Sequence, residues 1–291
     1  MSTTARFSFA LMALSAVPAL GADIDRPIIG NQGGFTYVEP TGVTVEDQGG
    51  VTGYVEGSFN KAFDTPYDVD SRTWALRGSV NFEGDSGLNL QIDANYARTS
   101  TEHVDVNQLG GAGHIYYRDP SLAVGGFFQA NRLDAGYLDY LGDDAIKDYM
   151  GGIEAAWFTD PGTLYGRLGY GQATFAGYSA DHYLGSVSAR FYVNDNLRFD
   201  VEGSLNRISY STVDLDTQSV VISGNYRTEA MPVTLFAGYR YDHLDLSANN
   251  TSITTGNTNT VFAGLRFSYG SRSLKDEERK GPVWTASTLL P

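Results

Sequence analysis

The sequence predicts an all-β protein: a closed, antiparallel, up-and-down transmembrane β-barrel of twelve strands, with fourteen as the alternative count. Three observations carry this prediction. The chain opens on an export-type segment, it alternates polar and apolar residues from residue 50 onward, and its connections run short, long, short without exception.

Beyond the N-terminus no apolar run reaches helix-spanning length, and the mean hydropathy is below zero. Membrane helices, which need about 20 apolar residues each, are therefore excluded. The 34 Gly, 19 Tyr and 15 Phe favour short aromatic strands joined by turns. With no Cys, the chain has neither a disulfide framework nor thiol chemistry.

At the N-terminus, Arg6 is followed by the largely apolar stretch 7–20 and by small residues Gly21 and Ala22 at a cleavable position. This is the pattern of a signal peptide over residues 1–22, too short to remain as an anchor. Its removal takes away one charge, Arg6, moving the net charge from -14 to -14 - 1 = -15. Such acidity argues against a nucleic-acid partner, because phosphate binding needs a basic face. Residues 23–49, with Gly33, Gly34, Pro40 and Gly42 between short apolar runs, are expected to be a periplasmic extension.

Twelve segments then show the period-2 alternation of a half-buried strand. Val51, Val55 and Phe59 alternate with Thr52, Glu56 and Ser58. Trp74, Leu76 and Val80 face away from Thr73, Arg77 and Ser79. In the cleanest segment Leu88, Leu90, Ile92 and Ala94 interleave with Asn89, Gln91, Asp93 and Asn95. The fourth sets Ile115 and Tyr117 against His114, Tyr116 and Arg118. The fifth carries Leu122, Val124 and Phe128, and the sixth Ile153 and Trp157 against Glu154. Leu164 and Leu168 oppose Tyr165 and Arg167; Val187 and Phe191 oppose Ser188 and Arg190. In the ninth, Leu197, Phe199 and Val201 oppose Arg198, Asp200 and Glu202. Val220, Ile222 and Tyr226 mark the tenth, and Leu235, Tyr239 and Tyr241 the eleventh, with Arg240 on its other face. The last runs Val261, Ala263, Leu265, Phe267 and Tyr269, with Arg266 between.

Turn-forming residues at 83–87, 119–121, 159–162, 194–196 and 228–232 supply short connections. Longer polar stretches at 60–71, 98–110, 131–147, 172–181, 208–217 and 243–258 lie between them. Short periplasmic turns and long external loops are what an outer-membrane barrel requires. A soluble sandwich would mix the lengths and would need a second sheet to cover its apolar face. If that face meets lipid, only a closed barrel leaves no unpaired edge. The barrel is thus assigned to residues 50–269, and the charged tail 270–291 to the periplasm. For the tail the alternative is a fold into the lower lumen, where Trp284 would gain a dry contact.

The chain resembles the bacterial outer-membrane β-barrel superfamily of porins and related proteins. Its segment 262–269, with Gly264 ahead of the alternating Phe267 and Tyr269, is similar to the terminal-strand assembly signal of that class. The class usually places this signal at the very C-terminus, whereas 22 residues follow it here. The resemblance implies a place in the cell outer membrane, contact with outer-membrane lipid and lipopolysaccharide, and the barrel assembly machinery as a partner during biogenesis. It names no substrate.

Catalytic and metal signals are thin. Of the four His, His103, His182 and His243 fall in or near external loops and His114 on an inward position, and no hydrolase, metalloprotease or phosphate-loop motif occurs. Paired acids at 68–70, 143–144, 214–216 and 242–245 lack the spacing of a calcium loop and read as a solvated acidic rim. No catalytic residue, metal or cofactor is expected.

The inward positions say more. Alternation turns Arg77, Arg118, Arg167, Arg190, Arg198, Arg240 and Arg266 into the lumen, against Glu56, Asp93, Glu154, Asp200 and Glu202. An Arg facing lipid at mid-depth would cost about 2–4 kcal/mol, which supports the inward assignment. Arg167, Arg190 and Arg198 should form a basic strip low on one wall, suited to clamping carboxylates or phosphates. The expected function is a passive, non-enzymatic channel for small polar solutes, anionic ones included. The alternatives are a closed barrel serving as an anchor or adhesion platform and, third, an outer-membrane hydrolase.

Overall fold

A computed structural model describes residues 50–63, 70–101, 104–135, 145–249 and 251–285. The expected signal peptide and N-terminal extension lie outside the described residues, as do His103, Asp68, Asp143 and Asp144. Twelve strands follow in order: β1 (Val51–Phe63), β2 (Ser71–Glu83), β3 (Leu88–Ser100), β4 (Asp105–Arg118), β5 (Leu122–Ala135), β6 (Ala145–Thr159), β7 (Gly162–Phe175), β8 (Tyr178–Asn194), β9 (Leu197–Tyr210), β10 (Val213–Arg227), β11 (Val233–Ala248) and β12 (Thr251–Tyr269). One short helix, α1 (Leu274–Lys280), comes after them.

Every strand pairs antiparallel with its sequence neighbours, and β1 closes on β12 in the register Val55↔Phe267 and Glu56↔Arg266. Closure satisfies the edge hydrogen bonds that an open sheet would leave bare in lipid. The expected count of twelve is the observed one. Among the described residues no helix is long and apolar enough to cross a membrane.

The outer face is apolar at mid-depth. Val55, Leu76, Ile92, Ile153, Leu168, Val187, Val201, Leu205, Ile222 and Leu265 point outward and are 48–65% exposed. A continuous band of this kind has no stable partner in water and matches the hydrocarbon band of a barrel. Aromatic girdles flank it. Phe82, Tyr117, Trp157, Phe191, Tyr226 and Phe267 lie toward the short-turn end, and Trp74, Tyr96, Tyr149, Tyr170, Tyr183 and Tyr239 toward the other.

The external connections depart from expectation. Most of the polar stretches predicted as long loops are paired strand. The stretch 172–181 closes in a two-residue turn at Ala176 (φ 49°) and Gly177 (φ 81°), and 208–217 closes at residues 211–212, with Ser211 at φ 58°. Both central residues of the Ala176–Gly177 turn have positive φ, matching the right-handed twist of the flanking strands. Alternation continues through these stretches with its sense reversed. Above the apolar belt the outside meets water, so Arg98, Arg132, Arg207, Asp214, Asp216 and Asp245 point out. Val106, Leu133, Ile146, Phe175, Ile208, Leu215, Leu244 and Leu246 turn in and form a buried apolar cluster spanning β4 to β11. Outward ion pairs such as Arg98–Asp105 (2.6 Å) and Arg207–Asp216 (2.6 Å) decorate this collar.

The tail is the second departure. It does not trail into the periplasm; residues 270–285 turn back at Gly270 (φ 75°) and fill the lower lumen, the alternative that Trp284 had suggested. Ser273 caps α1 by accepting from the Asp276 amide at 3.0 Å, and Leu274 is fully buried. A seven-residue helix has little stability by itself, so the barrel wall supplies what holds it.

Candidate functional site

The lumen has three levels. At the short-turn end, the wall grips the tail by polar contacts from almost every side. Arg118 donates to the carbonyls of Lys280 (2.6 Å) and Gly281 (2.7 Å). Gln91 imitates a strand partner: its Oε1 accepts from the amides of Val283 (3.0 Å) and Trp284 (3.3 Å), and its Nε2 donates to the Trp284 carbonyl at 2.9 Å. Arg167 donates to the Thr285 carbonyl at 2.7 Å, and Arg279 of the tail donates to the Thr159 carbonyl at 2.6 Å. The Trp284 ring lies between Tyr116 and Tyr165, with centroids 5.3 Å from each.

Two tail carboxylates meet wall cations. Glu278 pairs with Arg190 (2.7 Å) and accepts hydrogen bonds from the hydroxyls of Thr163 (2.8 Å) and Tyr192 (2.7 Å). Burial raises the Glu278 carboxyl, but the charges of Arg190 and then Arg198 outweigh it and hold the group at about 2. Glu277 meets Arg266 at 3.1 Å and Arg227 at 3.4 Å, and accepts from the Ser268 hydroxyl.

Above the tail, polar groups cross the lumen. His114 lies between two carboxylates, with Nδ1 2.8 Å from Glu154 and Nε2 3.2 Å from Asp93. Asp93 also accepts from Ser79 (2.5 Å) and Gln91 (2.8 Å). Both ring nitrogens are committed, so neither is free to take a proton from a serine. No serine hydroxyl among the described residues bonds to His114 or to His182, whose Nδ1 meets Asp148 at 2.7 Å.

Above Thr285 a cavity of about 240 Å³ crosses the lumen, lined by residues of β1–β4 and β7–β12. Glu56, Arg77, Arg167, Glu202 and Arg240 line it. Arg77 and Glu202 make no hydrogen bond or ion pair with another described residue.

All the arginines and acids singled out in the sequence sit on the inward face, but they do not form one continuous lining. Arg118, Arg167, Arg190 and Arg266 hold the tail. Arg198 pairs with Asp200 (2.7 Å) and Arg240 with Asp242 (2.7 Å), while Asp93 and Glu154 hold His114. The basic strip of Arg167, Arg190 and Arg198 is therefore engaged by tail carbonyls, Glu278 and Asp200, and does not face open solvent. Arg227, Glu277 and Glu278 were not anticipated, nor was the grip of the inward Gln91 on the tail. Parity with the outward Tyr226 was the available signal for Arg227. For the tail acids there was none, because their partners are far away in sequence.

No family model matches the chain, and no curated protein matches it. Among solved structures, the translocator domain of the autotransporter NalP from Neisseria meningitidis is 10% identical, covering 77% of this chain and 90% of that one at a TM-score of 0.47. The anion-selective porin from Comamonas acidovorans is 9% identical over 75% of this chain and 98% of its own, at 0.44. The NanC porin is 12% identical over 74% and 98%, at 0.47. The assignment rests on the chain's own architecture: cyclic pairing of twelve antiparallel strands, an apolar outer belt between aromatic girdles, and a polar lumen. The chain is a closed, twelve-stranded, antiparallel β-barrel of the transmembrane kind.

Proposed function

We propose that the barrel is a narrow passive channel for small polar solutes, held closed by its own C-terminal tail. One observation carries the reading. A charged cavity of about 240 Å³ inside the barrel has as its floor a segment that belongs to no strand and is held by side-chain contacts, a docked ring and one backbone hydrogen bond to the β8–β9 turn. Such a floor can leave without breaking a single ladder hydrogen bond of the wall. Twelve strands enclose more than the packed interior of eight and less than the open channel of sixteen, which suits a restricted path.

Planar-bilayer recording tests this reading. The full chain is expected to dwell in closed levels, and a barrel ending at Gly270 to carry steady ohmic current. A folded, silent truncated barrel would instead support a sealed barrel acting as an anchor or adhesion platform. The inward apolar cluster from Val106 to Leu246 favours that second reading, because it blocks much of the upper mouth.

A further inference from the structure

We infer that the barrel wall carries two carboxylate-binding sites, occupied by the tail's own Glu277 and Glu278, which take the carboxylates of small anionic solutes when the tail withdraws. The first site is built by Thr163, Arg190 and Tyr192 on β7 and β8. Its two hydroxyls donate to one oxygen of Glu278 and its guanidinium to the other. The second is built by Arg227, Arg266 and Ser268 on β10 and β12, around Glu277. A void of about 30 Å³ joins them, lined by Arg190, Arg198, Arg266, Glu277 and Glu278.

The wall is made for an anion whether or not the tail supplies it. Among the described residues, Arg190 and Arg227 form no ion pair with a carboxylate outside the tail, whereas Arg266 keeps Glu56 (2.6 Å) and Arg198 keeps Asp200. Withdrawal of the tail leaves two low-lumen cations unmatched, each beside hydroxyl donors already aimed at a carboxylate. Arginine with neighbouring hydroxyls fits the planar, two-oxygen acceptor of a carboxylate. The tail thus acts as a tethered ligand, and a free carboxylate competes with it. This deepens the channel reading by naming the solute class, and rests on that reading for the solute's route.

The test uses succinate, with phosphate, chloride and succinamide as comparisons at equal ionic strength. In the full chain carrying Trp74→Phe and Trp157→Phe, succinate is expected to shift Trp284 emission to the red, and succinamide is not. Calorimetry on the barrel ending at Gly270 is expected to show succinate binding that weakens about tenfold or more with Arg190→Ala and Arg227→Ala together. Should the truncated barrel fail to fold, the full-length Glu277→Gln, Glu278→Gln variant frees the same sites for the same titration. A folded barrel that conducts but binds no succinate overturns the carboxylate sites and leaves the channel standing. Binding without conductance does the reverse. Phosphate bound as tightly as succinate overturns the assignment to carboxylates.

Discussion

Arg190 on β8 and Glu278 on α1 form a buried ion pair, Nη1 to Oε1 at 2.7 Å, across 88 residues of sequence. Hydroxyls of Thr163 and Tyr192 complete the carboxylate's hydrogen bonding, so the buried pair is neutral and satisfied. Removing either partner strands the other, and the tail's seat depends on both.

Arg190→Ala is therefore expected to weaken tail docking by about 3–5 kcal/mol, the usual effect of breaking a buried pair, or at least about a hundredfold in the docked population. Deuterium exchange at the α1 amides reads this directly. Unchanged exchange would show that the carbonyl contacts of Arg118 and Arg167 suffice.

Acid should loosen the tail through Glu278. Its carboxyl is held down at about 2 in the docked state, against an ordinary 4.5. A lowered value stabilises docking above the ordinary one, and that stabilisation is lost as pH falls from about 4.5 through about 2. Trp284 emission should stay flat between neutrality and pH 5 and shift to the red below that window. Glu278→Gln should remove this part of the pH dependence.

Trp284 is wedged between Tyr116 and Tyr165 with its indole N–H lacking a hydrogen-bond acceptor among the described residues. Trp284→Ala should cost docking about 3–5 kcal/mol. Trp284→Phe should cost clearly less, because the removed N–H had no partner to lose. The two variants are compared by exchange at residues 281–285; equal losses would contradict the account.

His114 separates two buried carboxylates, and His114→Ala would leave Asp93 and Glu154 facing each other without it. The expected result is a barrel less stable by about 3–5 kcal/mol, measured as a lower urea midpoint for unfolding from detergent or lipid. A loss of hydrolytic activity without a loss of stability would argue for chemistry at this residue.

Ile153→Arg tests the membrane itself. Ile153 is 65% exposed on the outer face, so in water the change would be nearly neutral. In lipid it should cost about 2–4 kcal/mol at mid-depth, read from reversible unfolding in vesicles.

Much of this architecture was legible in the sequence because lipid and lumen act on alternate residues. Ile92 against Asp93, or Val201 against Glu202, fixes both the strand and its facing. The collar was harder to read. Where the outside changes from lipid to water, Ile208 and Leu215 go inward and Arg207 and Asp216 outward, which looks like a polar loop if one sense of alternation is assumed throughout. The tail was least legible. A charged run such as 275–280 reads as solvated until Arg190 and Arg227, brought together only by closure of the barrel, come within reach of its acids.

The turned-in apolar cluster has a mechanical consequence. With side chains from eight successive strands packed across the upper mouth, the part of the barrel beyond the hydrocarbon is braced from within and resists flattening or ovalising. Along that arc, from β4 to β11, the wall is held in shape by the protein, and the side chains that brace it also limit the bore.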